Sequence, residues 1–456
     1  NITCSFPKGK GIGYYLKDVR KEQFRVYSRR HRNIYHLSLE NIPSYKDETA
    51  MPHYSEVLPA VFFTSFRDWS EIHHWYMSLV RDRFQVSHEM KSVLNALISR
   101  GDSPEEKVRK VYNHVVKQIR YVGFEFGIGG IQPRSSDITY RTRMGDCKDI
   151  SLVLIAMLRE VGIDARLALV RTRDKGRAYL QVPYLGEFNH AICYVGNGMN
   201  LFLDGTSKFS GIRELPQDDS EVTALVLDDG GYDFIPVRNK LYYENVERVV
   251  TDVSIDRRGN AELYRRLQKQ GSLALRSRFE LLDDDKKIKT ISAYWNKLYT
   301  GSNVHELKIE RAAYDEPVVY TYRVSIPSFV SRGAVERGFN SFLISSEYYR
   351  SYAMIKKRTH PLEMAMKWDS HITIRYRLPA DCKVLRIPRS EKFRHSKFEA
   401  LFSYRRFKEE NIVEVKSVLR FKAYRIEVSE YGIFREFTRF IHRKENERII
   451  FIFKEN

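Results

Sequence analysis

Cysteine is scarce in this sequence, with four in 456 residues: Cys4, Cys147, Cys193 and Cys382. So few exclude a disulfide scaffold. No two share a Cys-x-x-Cys spacing, which excludes a zinc ribbon and a thioredoxin-type redox site. Proline (14) and glycine (24) are too rare for a collagenous or disordered chain. Long apolar runs are also missing. The longest, Leu152 to Leu158, falls far short of the ~20 residues that span a membrane as a helix. No internal repeat, low-complexity tract or His-Glu-x-x-His metal motif occurs. The adjacent His73 and His74 would point about 100° apart on a helix, a poor metal pair. The chain starts at Asn1 without a signal-peptide pattern, which reads as a processed or trimmed product.

What is present suits folded, strand-rich domains. Hydrophobic residues make up 43% of the chain, with 26 Phe and 29 Tyr. At roughly 100–200 residues per domain, the length allows two to four domains. The net charge of +19 is unevenly spread: +5 over residues 1–100, zero over 101–240 and +14 over 241–456. An acidic partner such as nucleic acid is one reading of that excess. Here the basic residues alternate with aromatics, as in Tyr404-Arg405-Arg406-Phe407, and no nucleic-acid motif accompanies them. Outward-facing Lys and Arg on strands is the favoured reading.

Along the chain, Gln23 to Ser28 and Asn33 to Leu39 alternate as strands. They read as the end of a β domain, or as strands added to a neighbour. Ile72, Trp75, Tyr76 and Leu79 give one helical stripe, and Met90 to Ile98 another. Ser103, Pro104 and Glu106 form a capping-box start for a helix expected to end near Arg120-Tyr121. A glycine-rich loop covers 123–130. Ile150 to Val161 is apolar on every side, so this helix should be buried all round and stop at Gly162. Ala165 to Arg171 is a strand. Asn189 to Val195 and Asn200 to Leu203 should form a hairpin across Gly196-Asn197-Gly198. Ala224 to Leu227 is another strand, and residues 228–245 read as a linker. Val246 to Leu267 reads as a hairpin and Ser272 to Lys297 as helical. Ser370 to Leu378, Ile412 to Phe421 and Arg448 to Phe453 read as strands, with a helix around Phe434 to Ile441.

Chemistry concentrates at Cys147. It falls in Gly145-Asp146-Cys147-Lys148-Asp149, at the first turn of the buried helix. Unpaired N–H groups and the helix dipole stabilise a thiolate there, and Lys148 adds a positive charge. A nucleophilic thiol needs a base and a group to orient that base. His190, in Phe188-Asn189-His190, lies on a strand. Asp204, in Leu203-Asp204-Gly205-Thr206, ends the next strand, so pairing around the 196–198 turn would make the two neighbours. Taken singly, a buried cysteine is usually a small hydrophobe, and an aspartate before glycine is usually a turn. Three such residues, each in the expected context, point to a Cys-His-Asp triad. Cys193, three residues past His190, should face the opposite side and serve the core.

These motifs resemble the transglutaminase-like superfamily of cysteine enzymes. The closest likeness is to a group common in Bacteroidetes, in which the core lies between β-sandwich domains of unknown function. Tyr121 to Gly127 and Gln132-Pro133 share the likeness, which covers about residues 105–230. It implies an α+β, papain/transglutaminase-like core, a buried helix carrying the cysteine packed on an antiparallel sheet, with mainly β flanks. The expected division is 1–66 as the end of a β domain, 67–240 as the catalytic domain and 241–456 as a mainly β region. The resemblance makes Cys147 the nucleophile, His190 the base and acid, and Asp204 the orienting group. The N–H of Cys147 and either Tyr121 or Gln132 are the oxyanion-donor candidates. Many members have Asp-Pro-Thr where this chain has Asp204-Gly205-Thr206, a change expected to loosen the turn and spare the carboxylate.

The expected activity is acyl transfer on amide bonds of a protein or peptide substrate, with no cofactor, metal or nucleic acid involved. Water as acceptor would make a peptidase or amidase, the favoured reading. A lysine amine would make a crosslinking transglutaminase, and a silent cell-envelope binding module is the non-enzymatic alternative. The resemblance implies a periplasmic or secreted setting. A Cys4–Cys382 disulfide is conceivable there.

Overall fold

The computed structural model describes residues 1–456 apart from 43, 125, 239–244, 282–286, 333–335 and 454–456. Parts of the expected linker and of the expected helical stretch from Ser272 therefore lie outside the described residues. So does Glu125 of the Tyr121 to Gly127 motif. The chain divides into two compact units, residues 1–47 with 52–240 and residues 48–51 with 241–456.

The first unit is built around the helix Cys147–Glu160. Its residues Ile150 and Leu152 to Leu158 are all essentially inaccessible, as a helix apolar on every side requires. The start is fixed by a capping box. Asp146 accepts the Asp149 N–H at 3.2 Å, and Asp149 reaches back to the Asp146 N–H. The end is fixed at Gly162, whose φ of +81° suits glycine, and Ile163 N–H closes onto the Leu158 carbonyl at 3.0 Å.

One side of this helix meets a five-stranded antiparallel sheet in the order Leu201–Leu203, His190–Val195, Ala165–Val170, Thr223–Asp228, Gly231–Pro236. The register pairs Val195 with Leu201 and Val170 with His190. Ser151 ties helix to sheet through the Ala191 carbonyl at 3.0 Å. The other sides are covered by Trp69–Val80, His88–Leu97 and Pro104–Gln118. The last of these starts with the Ser103–Glu106 capping box and Pro104, and Ile119 is its C-cap. Where a linker was expected, Gly231–Pro236 instead pairs with Thr223–Asp228 as an edge strand. Of the Gly230-Gly231 pair that suggested a linker, Gly230 completes the hairpin turn with Asp229 and Gly231 opens the strand opposite Asp228.

The N-terminal residues form a three-stranded sheet of Ile2–Pro7, Arg32–Leu37 and Phe24–Arg29, and a ribbon of Gly13–Lys17 with Ala60–Thr64. Phe24, Tyr35 and Leu37 centre their small core. They belong to the first unit and brace its 171–189 loop. Thr64 Oγ1 donates to the Pro183 carbonyl at 2.7 Å, and Phe62 stacks on Tyr179 at 5.3 Å.

The second unit is an eight-stranded sheet in the order Asn303–Arg311, Val318–Ile326, Ala261–Lys269, Val246–Ile255, Trp368–Arg377, Ile412–Phe421, Phe398–Phe407, Glu391–Arg394. All neighbours are antiparallel except Val246–Ile255 with Trp368–Arg377. The helix Tyr431–Glu445 packs Phe434, Phe437 and Ile441 into its core, Phe437 against Phe398 and Phe421. Many basic residues of this region lie on its strands and pair with carboxylates there, as in Arg394–Glu399, Arg375–Glu414 and Arg420–Asp369. The fold is α+β, a transglutaminase-like core with extensive sheet-rich regions. No helix among the described residues is long and apolar enough to cross a membrane.

Candidate active site

Each element of the core carries one polar group to the same point. The capping box puts Cys147 at the N-terminal end of the buried helix, half-buried while its neighbours are sealed. Asp149 is locked further by Arg134, which donates its N–H at 2.8 Å to one oxygen and Nε–H at 2.9 Å to the other. Lys148 does not act as a free charge beside the thiol, because its ammonium is bonded to Asp146.

His190 starts its strand, and Asp204 follows directly on the neighbouring strand. His190 Nε2 lies 3.5 Å from Asp204 Oδ1, and the same ring lines one cleft with Cys147, which helps to raise its pKa. With Nε2 turned to the carboxylate, Nδ1 is the nitrogen left for the thiol. Asp204 Oδ1 also accepts the Thr206 N–H at 2.8 Å and the Thr206 hydroxyl at 2.7 Å. The Tyr112 hydroxyl donates to the Asp204 carbonyl at 2.9 Å, fixing the backbone from below.

The electrostatics follow from these contacts. Burial opposes charge on His190. The hydrogen bond and charge of Asp204, then the bond to Cys147 and the charge of Asp219, outweigh it and carry the imidazole well above its ordinary 6.5. Burial likewise opposes charge on Asp204, yet the His190 charge and the His190 and Thr206 hydrogen bonds hold it below the ordinary 3.8. An imidazolium facing a thiol on one side and a carboxylate on the other is the arrangement a nucleophilic cysteine uses.

Two polar groups at this point were not foreseen. Asp219, on the turn Gln217–Asp219, brings Oδ2 to 3.8 Å from His190 Nε2. It follows two polar residues and nothing in that run sets it apart from a surface turn. Burial and the adjacent Asp204 charge push it up to about 8. Among the described residues, His190, Asp204 and Asp219 form the one group of three potential ligating side chains, their atoms within 4.8 Å. Asp204 Oδ1 faces both His190 and Thr206, while Asp219 Oδ2 stands beside them without a hydrogen-bond donor. The second group is Tyr76, read from the sequence as part of a core stripe. It is buried, its hydroxyl lies 3.4 Å from the Ile131 carbonyl, and it lines the cleft beside Cys147.

The two side-chain oxyanion candidates lie elsewhere. Tyr121 is exposed on a two-residue strand paired with Met144–Gly145, and Gln132 spends its amide on the Leu79 carbonyl at 3.1 Å. Neither lines the cleft. His73 bonds the Asp228 carbonyl and His74 the Ser70 carbonyl, both structural contacts. Cys193 is sealed in the core, where burial pushes its thiol far up. Cys4 and Cys382 are both free thiols and fall in different units.

The thiol and imidazole open onto a cleft of about 500 Å³. Its walls are Phe66, Trp75, Tyr76, Ile131 and Leu169 together with the 184–191 segment, including Tyr184, Leu185 and Phe188. That segment is held by two bonds between Asn189 and Thr172 at 2.9 Å each, Thr172 N–H to Asn189 Oδ1 and Asn189 Nδ2–H to the Thr172 hydroxyl, and the chain before it by Trp69 Nε1 on the Leu180 carbonyl at 2.9 Å. Among the described residues no carboxylate lines the cleft, and its cationic groups are the raised His190 imidazole and the Asp146-bound Lys148.

Residues 91–198 match the sequence model of the transglutaminase-like superfamily, a span that encloses Cys147 and His190 and ends before Asp204. Residues 336–451 match DUF3858, a domain of unknown function. Among solved structures, a candidate protease from Parabacteroides distasonis ATCC 8503 superposes with a TM-score of 0.61 at 14% identity. The overlap covers 99% of this chain and 71% of that one. A candidate cysteine protease from Cytophaga hutchinsonii covers 49% of this chain and 74% of its own, at 12% identity and a TM-score of 0.24. No curated protein matches. The core has the fold of transglutaminase-like cysteine enzymes.

Proposed function

We propose that this chain is a cysteine-dependent amide hydrolase, a peptidase or amidase, with Cys147 as nucleophile, His190 as base and acid, and Asp204 as the group that orients the imidazole. The observation that carries this is the single imidazole that lies 3.5 Å from Asp204 and shares the lining of an apolar cleft with Cys147, at the N-terminal end of the buried helix.

In this reading the Cys147 sulfur attacks the carbonyl carbon of a bound amide. His190 delivers its proton to the departing nitrogen, the C–N bond breaks and a thioester remains. His190, now neutral, takes a proton from water, whose oxygen attacks the thioester and releases the acid and the thiol. The Cys147 N–H at the helix end and the Tyr76 hydroxyl are the donors for the oxyanion, replacing Tyr121 and Gln132. The aromatic walls favour a peptide with a bulky apolar side chain next to the cleaved bond. Water is favoured over a lysine amine as acceptor because the described lining of the cleft offers no carboxylate to draw an ammonium group. A periplasmic or secreted setting, with protein or peptide substrates, fits the family likeness.

The test is turnover of a fluorogenic peptide library by the full chain and by Cys147→Ser. Cleavage after or before aromatic residues, absent in the variant, supports the reading. Incorporation of a primary amine faster than hydrolysis would move the protein to the crosslinking class. Neither reaction, with Cys147 unreactive, would leave a binding module.

A further inference from the structure

We propose that Asp219 is a positioning residue of this site that works as a neutral acid, donating its carboxyl proton to Asp204 and so clamping Asp204 against His190 without adding a second negative charge.

The argument is an inventory of donors. Asp204 is the satisfied anion, since Oδ1 accepts two bonds from Thr206 and faces His190 Nε2. Asp219 is almost wholly buried, and no N–H or O–H donor reaches its Oδ2. Its carboxyl oxygen lies within 4.8 Å of the Asp204 carboxylate and 3.8 Å from His190 Nε2. Two carboxylates in that position are a hydrogen bond only if one carries a proton, and are a buried repulsion otherwise. The proton belongs to the group without other donors, which is Asp219. The charged neighbours agree. Asp219 faces Asp204 and the adjoining Asp218, both negative, and the one cation facing it, His190, is already paired with Asp204. Arg173 and Lys175 act on Asp218 instead. The carboxyl is accordingly held protonated up to about pH 8.

A neutral acid here has a use that an anion lacks. His190 must give its proton to the leaving amine, and a second carboxylate beside Nε2 would hold that proton too firmly. A protonated Asp219 instead fixes Asp204 in place and draws off part of its charge. This inference rests on the reading of Cys147, His190 and Asp204 given above.

Asparagine has the shape of a protonated aspartate, can donate to Asp204 and cannot ionise. In the full chain, Asp219→Asn should alkylate Cys147 with iodoacetamide at pH 6.5 at close to the wild-type rate. Asp219→Ala, or Asp219→Ser should alanine not fold, should be slower by about tenfold, the rate equivalent of one hydrogen bond to a charged group. Thermal midpoints give a second readout independent of reactivity. The wild type loses stability relative to Asp219→Asn as pH rises from about 4 to about 8, because the unfolded aspartate releases a proton that the folded one keeps. An Asp219→Asn protein as slow as Asp204→Asn would show that Asp219 acts as an anion. A pH-independent difference in midpoint between wild type and Asp219→Asn would show that no proton is held. Either result overturns the proposal. A wild-type Cys147 that alkylates no faster than an ordinary thiol would instead defeat the underlying triad reading, and the midpoints would still decide the protonation of Asp219.

Discussion

Asp149 accepts two hydrogen bonds from Arg134, through N–H at 2.8 Å and Nε–H at 2.9 Å, only two residues beyond Cys147. The pair binds the loop before the nucleophile helix to its first turn. The Asp149 side chain is sealed from solvent, while Arg134 is 30% exposed and also covers Phe124 at 4.2 Å from the ring centre.

The two ends of this ion pair should therefore respond unequally. Asp149→Ala strips an acceptor from Arg134 N–H, Arg134 Nε–H and Asp146 N–H at once, and should cost about 3–5 kcal/mol. Arg134→Ala leaves Asp149 with both backbone donors and should cost about 1–2 kcal/mol. Chemical denaturation of the two variants and the double variant measures this. Equal losses would mean the capping box is not what holds the helix start.

The raised imidazole predicts a pH window for thiol reactivity. The folded His190 binds its proton more tightly than the unfolded 6.5, so the stability it contributes is present below that value and is lost as pH rises through the folded one. The imidazolium persists into the neutral range and keeps its thiolate partner available. Cys147 should alkylate rapidly near pH 6, where an ordinary thiol of pKa about 8.5 is almost wholly protonated. Asp204→Asn removes the main group that raises His190, so the reactive window should narrow from its alkaline side while the fold survives. Mass spectrometry of labelled peptides at a series of pH values reads this directly. A single profile centred near 8.5 in both proteins would contradict it.

Why some of this was legible in the sequence and some was not has a physical basis. Cys147, His190 and Asp204 each sit at the end of an element with strong local signals: a capping box, an alternating strand and a turn-bounded partner. The 196–198 turn fixes the register that makes the last two neighbours. Asp219 carries no such signal, since Pro216-Gln217-Asp218-Asp219 has the composition of any surface turn and only tertiary packing buries it. Tyr76 fits the apolar helical stripe so well that its hydroxyl was invisible. The Gly230-Gly231 pair has the chemistry of both a linker and a hairpin turn, and packing decided for the turn. The sequence spacing of Lys148 placed a cation near the thiol, but not its bond to Asp146.

Tyr76 should separate binding from chemistry. Its hydroxyl lines the cleft beside Cys147, with only a long 3.4 Å contact to the Ile131 carbonyl. Tyr76→Phe should keep the fold and KM and lower kcat by about 10²-fold, as expected for one oxyanion donor. Tyr184→Ala, on the exposed rim of the same cleft, should raise KM instead. Steady-state kinetics on one peptide distinguish the two. A Tyr76→Phe variant altered only in KM would return Tyr76 to the role of a wall.

The glycine at 205 is a packing requirement more than a loosened turn. A Cβ at that position would lie 2.7 Å from Ile150 Cγ2, and Ile150 is a fully buried residue of the nucleophile helix three places past Cys147. The space that another side chain would need beside Asp204 is filled by isoleucine. Gly205→Ala should force these two elements apart, at a cost of about 1–3 kcal/mol. Because the same displacement separates His190 and Asp204 from Cys147, thiol reactivity near pH 6 should fall with it. Ile150→Ala alone removes the Cγ2 methyl with the rest of the side chain beyond Cβ and should cost about 2–5 kcal/mol. Combined with Gly205→Ala it makes room for the new methyl, so the double variant should be more stable than the sum of the single losses and recover reactivity. Thermal midpoints and alkylation rates for the four proteins form a complete cycle. Strict additivity would mean that the Gly205–Ile150 contact does not set the distance between the two halves of the site.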